Sequence, residues 1–374
     1  MLCFRIIIVR TNGAILDIHE DIAVIPDSQR YWVVRSDGGY FARHFLKHGI
    51  IAIGHLDNYR IEKIVERVVL QPQEVQMAIA VQNPNSKRRK LHAIWNQVQS
   101  FVRDMRPGDI VITMTPSALH FGRITSNAFY STSELEIEYD GSREPPRPLT
   151  HVLRRKVQWG PTIARCDLRG HPLYRSLSAN QTVFSADKWK VELNHFLWPI
   201  FICNQRAYFS VNIKTEEEID NLSVAYLQEM LSMVEAASLL ARNTKDPFTG
   251  DFESQFMDLY YAGDLRLTAK AHYLSPGSIW GAIASLEDFK EILYFYIGYS
   301  AIFGSKFVGW DGVIDLYTKQ RIYDSFVKLF KKKPKLVKER LKARPPKKDN
   351  SKLVDASKDE VADPRSYQLE LRPT

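Results

Sequence analysis

Residues 107–124 read PGDIVITMTPSALHFGRI, a pattern typical of a β-hairpin whose first strand is buried. The PGD triplet at 107–109 is a turn signal, and the apolar run at 110–113 predicts a strand. Residues 121–124 predict its antiparallel partner. Further short strands are predicted on both sides, at 31–35 and 151–159. Short strands around one or two helices favour a small mixed barrel over a doubly wound parallel sheet.

Between these strands the chain carries a glycine turn and helical segments. The DGG triplet at 37–39 permits positive φ and marks a turn. Residues 40–48 have helical spacing, and residues 50–54 predict a buried strand. Two further helices are predicted at 62–69 and 91–105, the second from its apolar stripe at i, i+4, i+7 and i+11.

A second module is predicted to open near Trp198 and Pro199, since 374 residues are enough for about two domains. Thr215 is the predicted N-cap of a long amphipathic helix. We expect helices at 216–242, 289–303 and 322–330 and strands at 265–272 and 278–283. The predicted fold class is α+β: a mixed barrel domain, a helix-rich α+β domain and a tail.

Charge is distributed unevenly along the chain, although the net value is only +8. Counted segment by segment, it is +8 over 31–198, −7 over 199–327 and +10 over 328–348. Basic surfaces attract polyanions by releasing counterions, but a solvated surface without a partner is an equally good interpretation. The predicted organisation is an N-terminal extension (1–30), a basic recognition domain (31–198), an effector or interaction domain (199–330) and a flexible basic tail (331–374).

The three cysteines, Cys3, Cys166 and Cys203, are too widely spaced for a zinc site or a disulfide framework. We therefore expect no metal, no cofactor and a reducing, cytoplasmic location. Arg5 and Arg10 interrupt the apolar start of the chain, and no small-residue cleavage site follows, so no signal peptide is predicted.

Several short runs of the basic domain form an ordered set. They read WVVRSDGG (32–39), IIAIGH (50–55), GDIVIT (108–113), GRIT (122–125) and HVLRRKVQW (151–159), followed by Arg165 and QTVF (181–184). In this order they resemble the PUA/EVE-like N-terminal domain fused to Mrr-type restriction endonucleases, over just under half of the chain. The resemblance implies a PUA-like fold, DNA as partner with a modified or flipped base, and a sensor role in antiviral defence.

A cage for a flipped base needs two or three aromatic faces and donors to the base edge. The aromatic candidates are Trp32, Tyr40, Phe41, Trp95 and Trp159. The candidate donors or phosphate contacts are Arg35, Arg154 and Arg155. Trp32 and Trp159 lie in predicted strands, where a core position is the competing interpretation. Residues 87–90, KRRK, could clamp phosphates or form a solvated loop.

The resemblance also raises the alternative of a Mg²⁺-dependent DNA endonuclease. Such a site needs an Asp and an acid-x-Lys pair beside the metal. Its candidates here are Asp264, Lys270, Asp311 and Asp315, but no acid occupies position 268 to complete the pair with Lys270. We therefore expect a non-enzymatic protein, with Mg²⁺ as cofactor only in the nuclease alternative.

The output of the second domain is left open between self-association, a protein partner and a membrane surface. Residues 292–303 are continuously apolar, which at that length indicates a buried helix, because spanning needs about 20 residues. Extended to residue 310 the run contains only Lys306. Membrane contact through residues 289–333, a homo-oligomer and a non-catalytic interaction protein remain the alternatives.

Overall fold

The computed structural model describes residues 22–59, 67–138, 147–168, 174, 177, 181–204, 206–244, 246–272, 277–283, 289–303, 316–354 and 366–371. The chain divides into two compact units. We call residues 28–190 and 349–374 the half-barrel unit, and residues 1–27 and 191–348 the helical unit. Both units combine helices with a sheet, so the predicted α+β class is confirmed.

The half-barrel unit is built on a curled nine-stranded sheet in the order β4-β14-β7-β8-β6-β5-β2-β9, with β3 paired to β8. Its strands are β2 (Tyr31–Val34), β3 (Ile50–Ile53), β4 (Arg67–Leu70), β5 (Ile110–Met114), β6 (Ala118–Ile124), β7 (Phe129–Ser131), β8 (Leu153–Ala164), β9 (Val183–Ser185) and β14 (Ser366–Leu371). The predicted hairpin is confirmed, with Ile110 opposite Arg123 in the antiparallel pair β5–β6. β8 pairs with β3 and β7 at its start and with β6 further along. This long strand therefore connects the two parts of the curled sheet.

Helices cover the core of this unit. They are α1 (Ala42–His48), α2 (Pro72–Gln82) and α3 (Arg88–Gln99), which continues as a π-helical turn (Ser100–Asp104), with short 3₁₀ turns at Arg165–Leu168 and Asp187–Trp189 and the short α10 (Ser351–Val354). The predicted glycine turn is confirmed: Asp37, Gly38 and Gly39 all have positive φ. Residues 67–69 lie in β4 instead of the helix predicted at 62–69, because their backbone pairs with β14; residues 62–66 lie outside the described residues.

The helical unit has a five-stranded sheet in the order β1-β10-β11-β13-β12. Its strands are β1 (Ile22–Ile25), β10 (Ile200–Cys203), β11 (Arg206–Ile213), β12 (Thr268–His272) and β13 (Gly277–Ile283). Its helices are α4 (Lys190–Leu197), α5 (Asn221–Asn243), α6 (Phe252–Ala262), α7 (Phe289–Phe303), α8 (Leu316–Phe330) and α9 (Lys333–Arg340). α5 and α7 pack closely, since a Cβ on Gly298 would lie only 2.6 Å from Val234 Cγ2.

The long helix α5 begins at Asn221, so the predicted start with Thr215 as N-cap is wrong. Asp220 caps the helix instead, accepting a hydrogen bond of 2.8 Å from the backbone N–H of Ser223. Thr215 is buried, and its hydroxyl accepts from the backbone N–H of Glu217 at 3.3 Å. A carboxylate near the free N–H groups also suits the helix dipole, which explains why Asp220 ends the preceding loop.

Described residues of both predicted end segments, 1–30 and 331–374, belong to the two folded units. β1, within the predicted extension, pairs in parallel with β10. In the predicted flexible tail, Val337, Leu341 and Ala343 are buried in the core of the helical unit, and β14 joins the other sheet. Both units therefore use residues from beyond the predicted boundaries at 198 and 330. Residues 355–365 and 372–374 of the tail lie outside the described residues.

None of the helices described combines the length and apolarity needed to cross a bilayer. α7 has 15 residues, most of them buried in the core of the helical unit. Residues 304–315, within the segment predicted as a possible membrane contact, lie outside the described residues.

Candidate nucleic-acid interface

The three candidate tryptophans have mainly structural surroundings. Trp32 is 2% exposed, and its Nε1 donates a hydrogen bond of 2.9 Å to Asp109 Oδ2. Trp95 belongs to α3 and is buried in the core of the half-barrel unit. Trp159 is partly buried and donates from Nε1 to the Phe45 carbonyl at 2.8 Å. Trp32 and Trp95 are therefore core residues, whereas Trp159 packs against the core from a partly buried position.

The guanidinium groups of Arg154 and Arg155 are also buried, and this corrects their predicted contact with phosphate. Arg155 donates to the carbonyls of Phe101, Val102 and Met105 at 2.7, 3.1 and 2.9 Å, and to that of Ser126 at 2.9 Å. The first three carbonyls belong to the end of α3 and its π-helical turn, where helical carbonyls lack partners of their own. Arg155 thus supplies the hydrogen-bond donors that the carbonyls at this helix end need.

Arg154, the neighbour of Arg155 in β8, is 2% exposed and also donates its hydrogen bonds within the protein. Its Nε donates to the His151 carbonyl at 2.7 Å, and another nitrogen donates to Ser131 Oγ at 3.2 Å. Arg35, by contrast, lies partly exposed just after β2, with its backbone N–H donating to the Thr182 carbonyl. Of the three predicted arginines, only Arg35 is on the surface.

Tyr40 and Phe41 are the predicted aromatics that the structure brings together at a surface. Tyr40 is 40% exposed and meets the Phe41 ring edge-on, with centroids 5.0 Å apart. The Tyr40 hydroxyl accepts from the backbone N–H of Arg147 at 2.8 Å, and the Arg147 guanidinium lies 4.8 Å from the ring centroid. An exposed aromatic ring with an arginine over it is a surface that can stack on a base.

Phe41 connects this surface with two histidines. Its ring contacts His44 and His151 edge-on, at centroid distances of 5.3 and 5.2 Å. His151 Nδ1 lies 2.7 Å from Asp57 Oδ2, and both side chains are about a quarter exposed. The second Asp57 oxygen accepts from the backbone N–H of Val152 at 3.2 Å. The carboxylate thus orients the imidazole and leaves Nε2 as its remaining polar atom.

Gly54 makes room for this Asp57–His151 pair. A Cβ at position 54 would lie 2.6 Å from His151 Cε1 and 2.8 Å from Asp57 Oδ2, closer than such atoms approach. The Gly54 carbonyl is in turn fixed by Gln82, whose Nε2 donates to it at 2.9 Å. The glycine that ends the strand therefore lets the pair lie directly against the backbone.

Two neighbouring imidazoles, those of His44 and His55, have pKa values lowered by their surroundings. Burial lowers the pKa of His55, opposed by its hydrogen bond with Gln97 and the charge of Asp57. Burial also lowers the pKa of His44, helped by the neighbouring His48 side chain. His55 Nε2 and both ring nitrogens of His44 are buried without a well-formed hydrogen bond. Such atoms are usually satisfied by water or a ligand.

We call the following residues the Phe41 cluster: Tyr40, Phe41, His44, His55, Asp57, Arg147 and His151. Sequence reasoning found only the two aromatics. His55 and His151 stand inside quoted runs, but Asp57 and His151 are 94 positions apart, and nothing local in either run pairs them. The spacing of Gly54, His55 and Asp57 after a buried strand was the one signal that could have pointed to the pair.

Cations are concentrated on two exposed helical segments, one in each unit. In the half-barrel unit, Lys87 precedes α3 and Arg88, Arg89 and Lys90 form its first turn, all exposed and without a capping side chain. In the helical unit, residues 328–348 carry eleven Lys and Arg and a single acid, Glu339. Val337 of α9 and Leu341 just after it are buried in the core, so the exposed cations beside them, such as Lys335 and Arg340, are held on a fixed surface.

Of the four candidate catalytic residues of the nuclease alternative, the structure describes Asp264 and the backbone of Lys270. Asp264 is exposed directly after α6, and its backbone N–H donates to the Leu259 carbonyl. The backbone of Lys270 lies in β12 opposite Trp280. Asp311 and Asp315 lie outside the described residues. Among the residues that the structure does describe, no three His, Cys, Asp or Glu side chains are grouped to hold a metal ion.

Compared with protein-family models, with curated proteins and with solved structures, the chain has no significant match. The functional argument therefore depends on the geometry of the Phe41 cluster and on the distribution of charge.

Proposed function

We propose that this chain is a nucleic-acid sensor that binds DNA through the half-barrel unit and contacts an exposed or modified base at the Phe41 cluster. Two contacts of the Phe41 ring carry the proposal. On one side it meets the partly exposed Tyr40. It also touches His151, which is paired with Asp57. This places an aromatic face and oriented polar atoms side by side at one surface.

This combination suits a base taken out of its stack. An extruded base is bound by stacking on aromatic side chains and by hydrogen bonds to its polar edge. Tyr40, a residue that is 40% exposed, supplies the aromatic ring. The imidazole of His151, held by Asp57, supplies a polar atom of defined orientation. The His55 ring, close enough to Asp57 and His151 to feel their charges, adds a further imidazole beside this pair.

The basic segments supply affinity that does not depend on sequence. Interactions of Lys or Arg with phosphate release counterions and make binding weaken as salt increases. Residues 87–90 at the start of α3 and two cations of α9, Lys335 and Arg340, are exposed. In this proposal phosphate contacts position the nucleic acid and the Phe41 cluster reads the base. The helical unit then transmits the event through self-association or a partner.

The test is fluorescence anisotropy of the full chain with short duplexes that carry a normal, a modified or a mismatched base pair, across a range of salt. Tyr40→Ala should weaken binding to the preferred base by roughly 1–3 kcal/mol while the melting temperature changes little. Tyr317→Ala is the matched control, because Tyr317 is 78% exposed in the helical unit. If Tyr40→Ala lowered the affinity for all duplexes equally, the interface would be limited to the sugar–phosphate backbone of the DNA. Absence of salt-dependent binding would overturn the proposal.

A further inference from the structure

The helical unit contains a cavity of about 420 Å³ between α5, α6 and the segment that leads into β12. Its lining is mostly apolar, from Phe256, Met257 and Tyr260 of α6 and from Leu265 and Leu267. Cavities of this volume with a few polar groups are typical of small-molecule sites. The cavity lies wholly within one unit and involves none of the residues of the Phe41 cluster.

One buried carboxyl group lines this apolar space. Glu235 of α5 is only 1% exposed. Its Oε1 accepts a hydrogen bond of 2.9 Å from the backbone N–H of Arg266, whereas its Oε2 is buried with no hydrogen-bond partner. A buried polar atom without a partner is costly and calls for an explanation.

The described part of the chain supplies no cation to this carboxyl group. The nearby Lys333 is already paired with Glu229, with its Nζ 2.6 Å from Oε1. Within the described ranges, no Lys, Arg or His forms an ion pair with Glu235. Burial raises the pKa of Glu235 to about 7, although the backbone N–H groups of Arg266 and Leu267 oppose the shift. The charged form therefore lacks a positive partner among these residues.

The mouth of the cavity is aromatic and accessible. Tyr260 is 61% exposed and Met257 is 40% exposed. A tyrosine face attracts an organic cation, and a methionine side chain is flexible enough to turn aside as a ligand enters. Glu229 also lines the cavity, but its carboxylate is already paired with Lys333, so Glu235 is the carboxyl group offered to a cation. Charge and shape together thus favour a ligand with a positive head and an apolar body.

We propose that this cavity binds a small organic cation, an alkyl- or aryl-ammonium ion, whose N–H groups donate to Glu235 Oε2 and whose apolar body packs against Phe256 and Leu265. The ligand supplies the hydrogen-bond donor and the positive charge that the described residues do not provide to Oε2. Binding here is independent of nucleic acid, so the helical unit would carry its own small-molecule input.

The experiment compares phenethylammonium with 2-phenylethanol, which has the same apolar body and no charge. Calorimetry with the full chain is done at pH 8, where Glu235 is mostly ionised. The ammonium ion should bind about tenfold more tightly than the alcohol, a difference of about 1.4 kcal/mol. Glu235→Gln should remove that difference, whereas Glu253→Gln should not, because Glu253 is an exposed carboxylate of α6 outside the cavity.

Two further measurements keep the test independent of one variant. Leu265→Trp, which places a larger side chain in the lining of the cavity, should abolish binding of both compounds. Saturation with phenethylammonium should lower the pKa of Glu235 followed by carboxyl NMR. Equal affinity for the two compounds, unchanged binding by Glu235→Gln, or no binding of either compound would each overturn the proposal.

Discussion

The indole Nε1 of Trp32 donates a hydrogen bond of 2.9 Å to the Asp109 carboxylate, across the parallel pairing of β2 with β5. The same carboxylate oxygen accepts from the backbone N–H of Arg106 at 2.9 Å. Trp32 and Asp109 belong to two of the runs on which the PUA/EVE resemblance rests. In this chain the two residues join neighbouring strands, so their pairing is a structural requirement.

Replacing Trp32 should therefore test stability and leave recognition intact. Trp32→Ala removes a buried indole, and we expect it to cost about 3–5 kcal/mol in the free energy of unfolding. Trp32→Phe keeps most of the packing and should cost about 1–2 kcal/mol, because the hydrogen bond to Asp109 is removed. Thermal melts give these values. Weakened binding to DNA in Trp32→Ala with an unchanged melting temperature would instead identify Trp32 as part of a cage.

Arg155→Lys should destabilise the protein strongly, because an ammonium group cannot reach the four carbonyls that the guanidinium now contacts. We expect a loss of about 3 kcal/mol, since buried carbonyls are left without partners. Arg103→Lys is the control: Arg103 is exposed on the same π-helical turn, and its exchange should change stability by less than about 0.5 kcal/mol. Chemical denaturation measures both, and similar losses would contradict this role.

Gly54→Ala should separate base recognition from phosphate binding. The added methyl group must displace His151 or Asp57, because it would lie within 2.8 Å of both side chains. We expect the difference in affinity between preferred and ordinary duplexes to disappear, while the dependence of binding on salt is unchanged. Anisotropy titrations measure both quantities. A retained base preference would place recognition outside the Phe41 cluster.

The basic surface at α9 should be tested by charge reversal, because a truncation at residue 328 would remove the buried Val337, Leu341 and Ala343. Lys335→Glu combined with Lys342→Glu changes two exposed side chains, one in α9 and one just after it. If both lysines bind phosphate, the slope of log K against log salt should fall by about 0.9 for each lysine replaced. Base preference should persist. An unchanged slope would show that α9 lies away from the nucleic acid.

Glu235 should make stability depend on pH. Its pKa is raised from 4.5 to about 7 in the folded chain, so the folded state binds the proton more tightly than the unfolded state does. The resulting stabilisation is complete below about pH 4.5 and is lost as pH rises towards 7, by roughly 3 kcal/mol. Glu235→Gln should flatten this part of the profile. Parallel profiles for both proteins in urea denaturation would contradict the assignment.

Local sequence patterns predicted the elements whose partners are close in the chain. The hairpin β5–β6 follows from one turn and two apolar runs, and α7 has the predicted bounds because its apolar run is continuous. β4 was predicted as part of a helix, since its strand partner β14 lies at the far end of the chain. Pairing over such a distance leaves no local trace.

The candidate site was predictable only in part, for a similar reason. Tyr40 and Phe41 are adjacent, and aromatic residues beside a glycine turn attract notice. Whether a tryptophan in a strand faces the core or a ligand depends on what packs over it. The sequence alone therefore did not decide between core and cage for Trp32 and Trp159. The Asp57–His151 pair exists only once β3 and β8 are aligned, because the two residues flank those strands.

β14 is inserted between β4 and β7, so the sheet of the half-barrel unit includes residues 366–371. During synthesis on a ribosome this sheet cannot be completed until residue 371 has left the exit tunnel. β4 and β7 meanwhile present unpaired backbone edges, which are prone to pair with other chains. The nascent protein must therefore be shielded throughout the synthesis of the helical unit, and its yield should depend more on chaperones than that of a protein whose domains close in order.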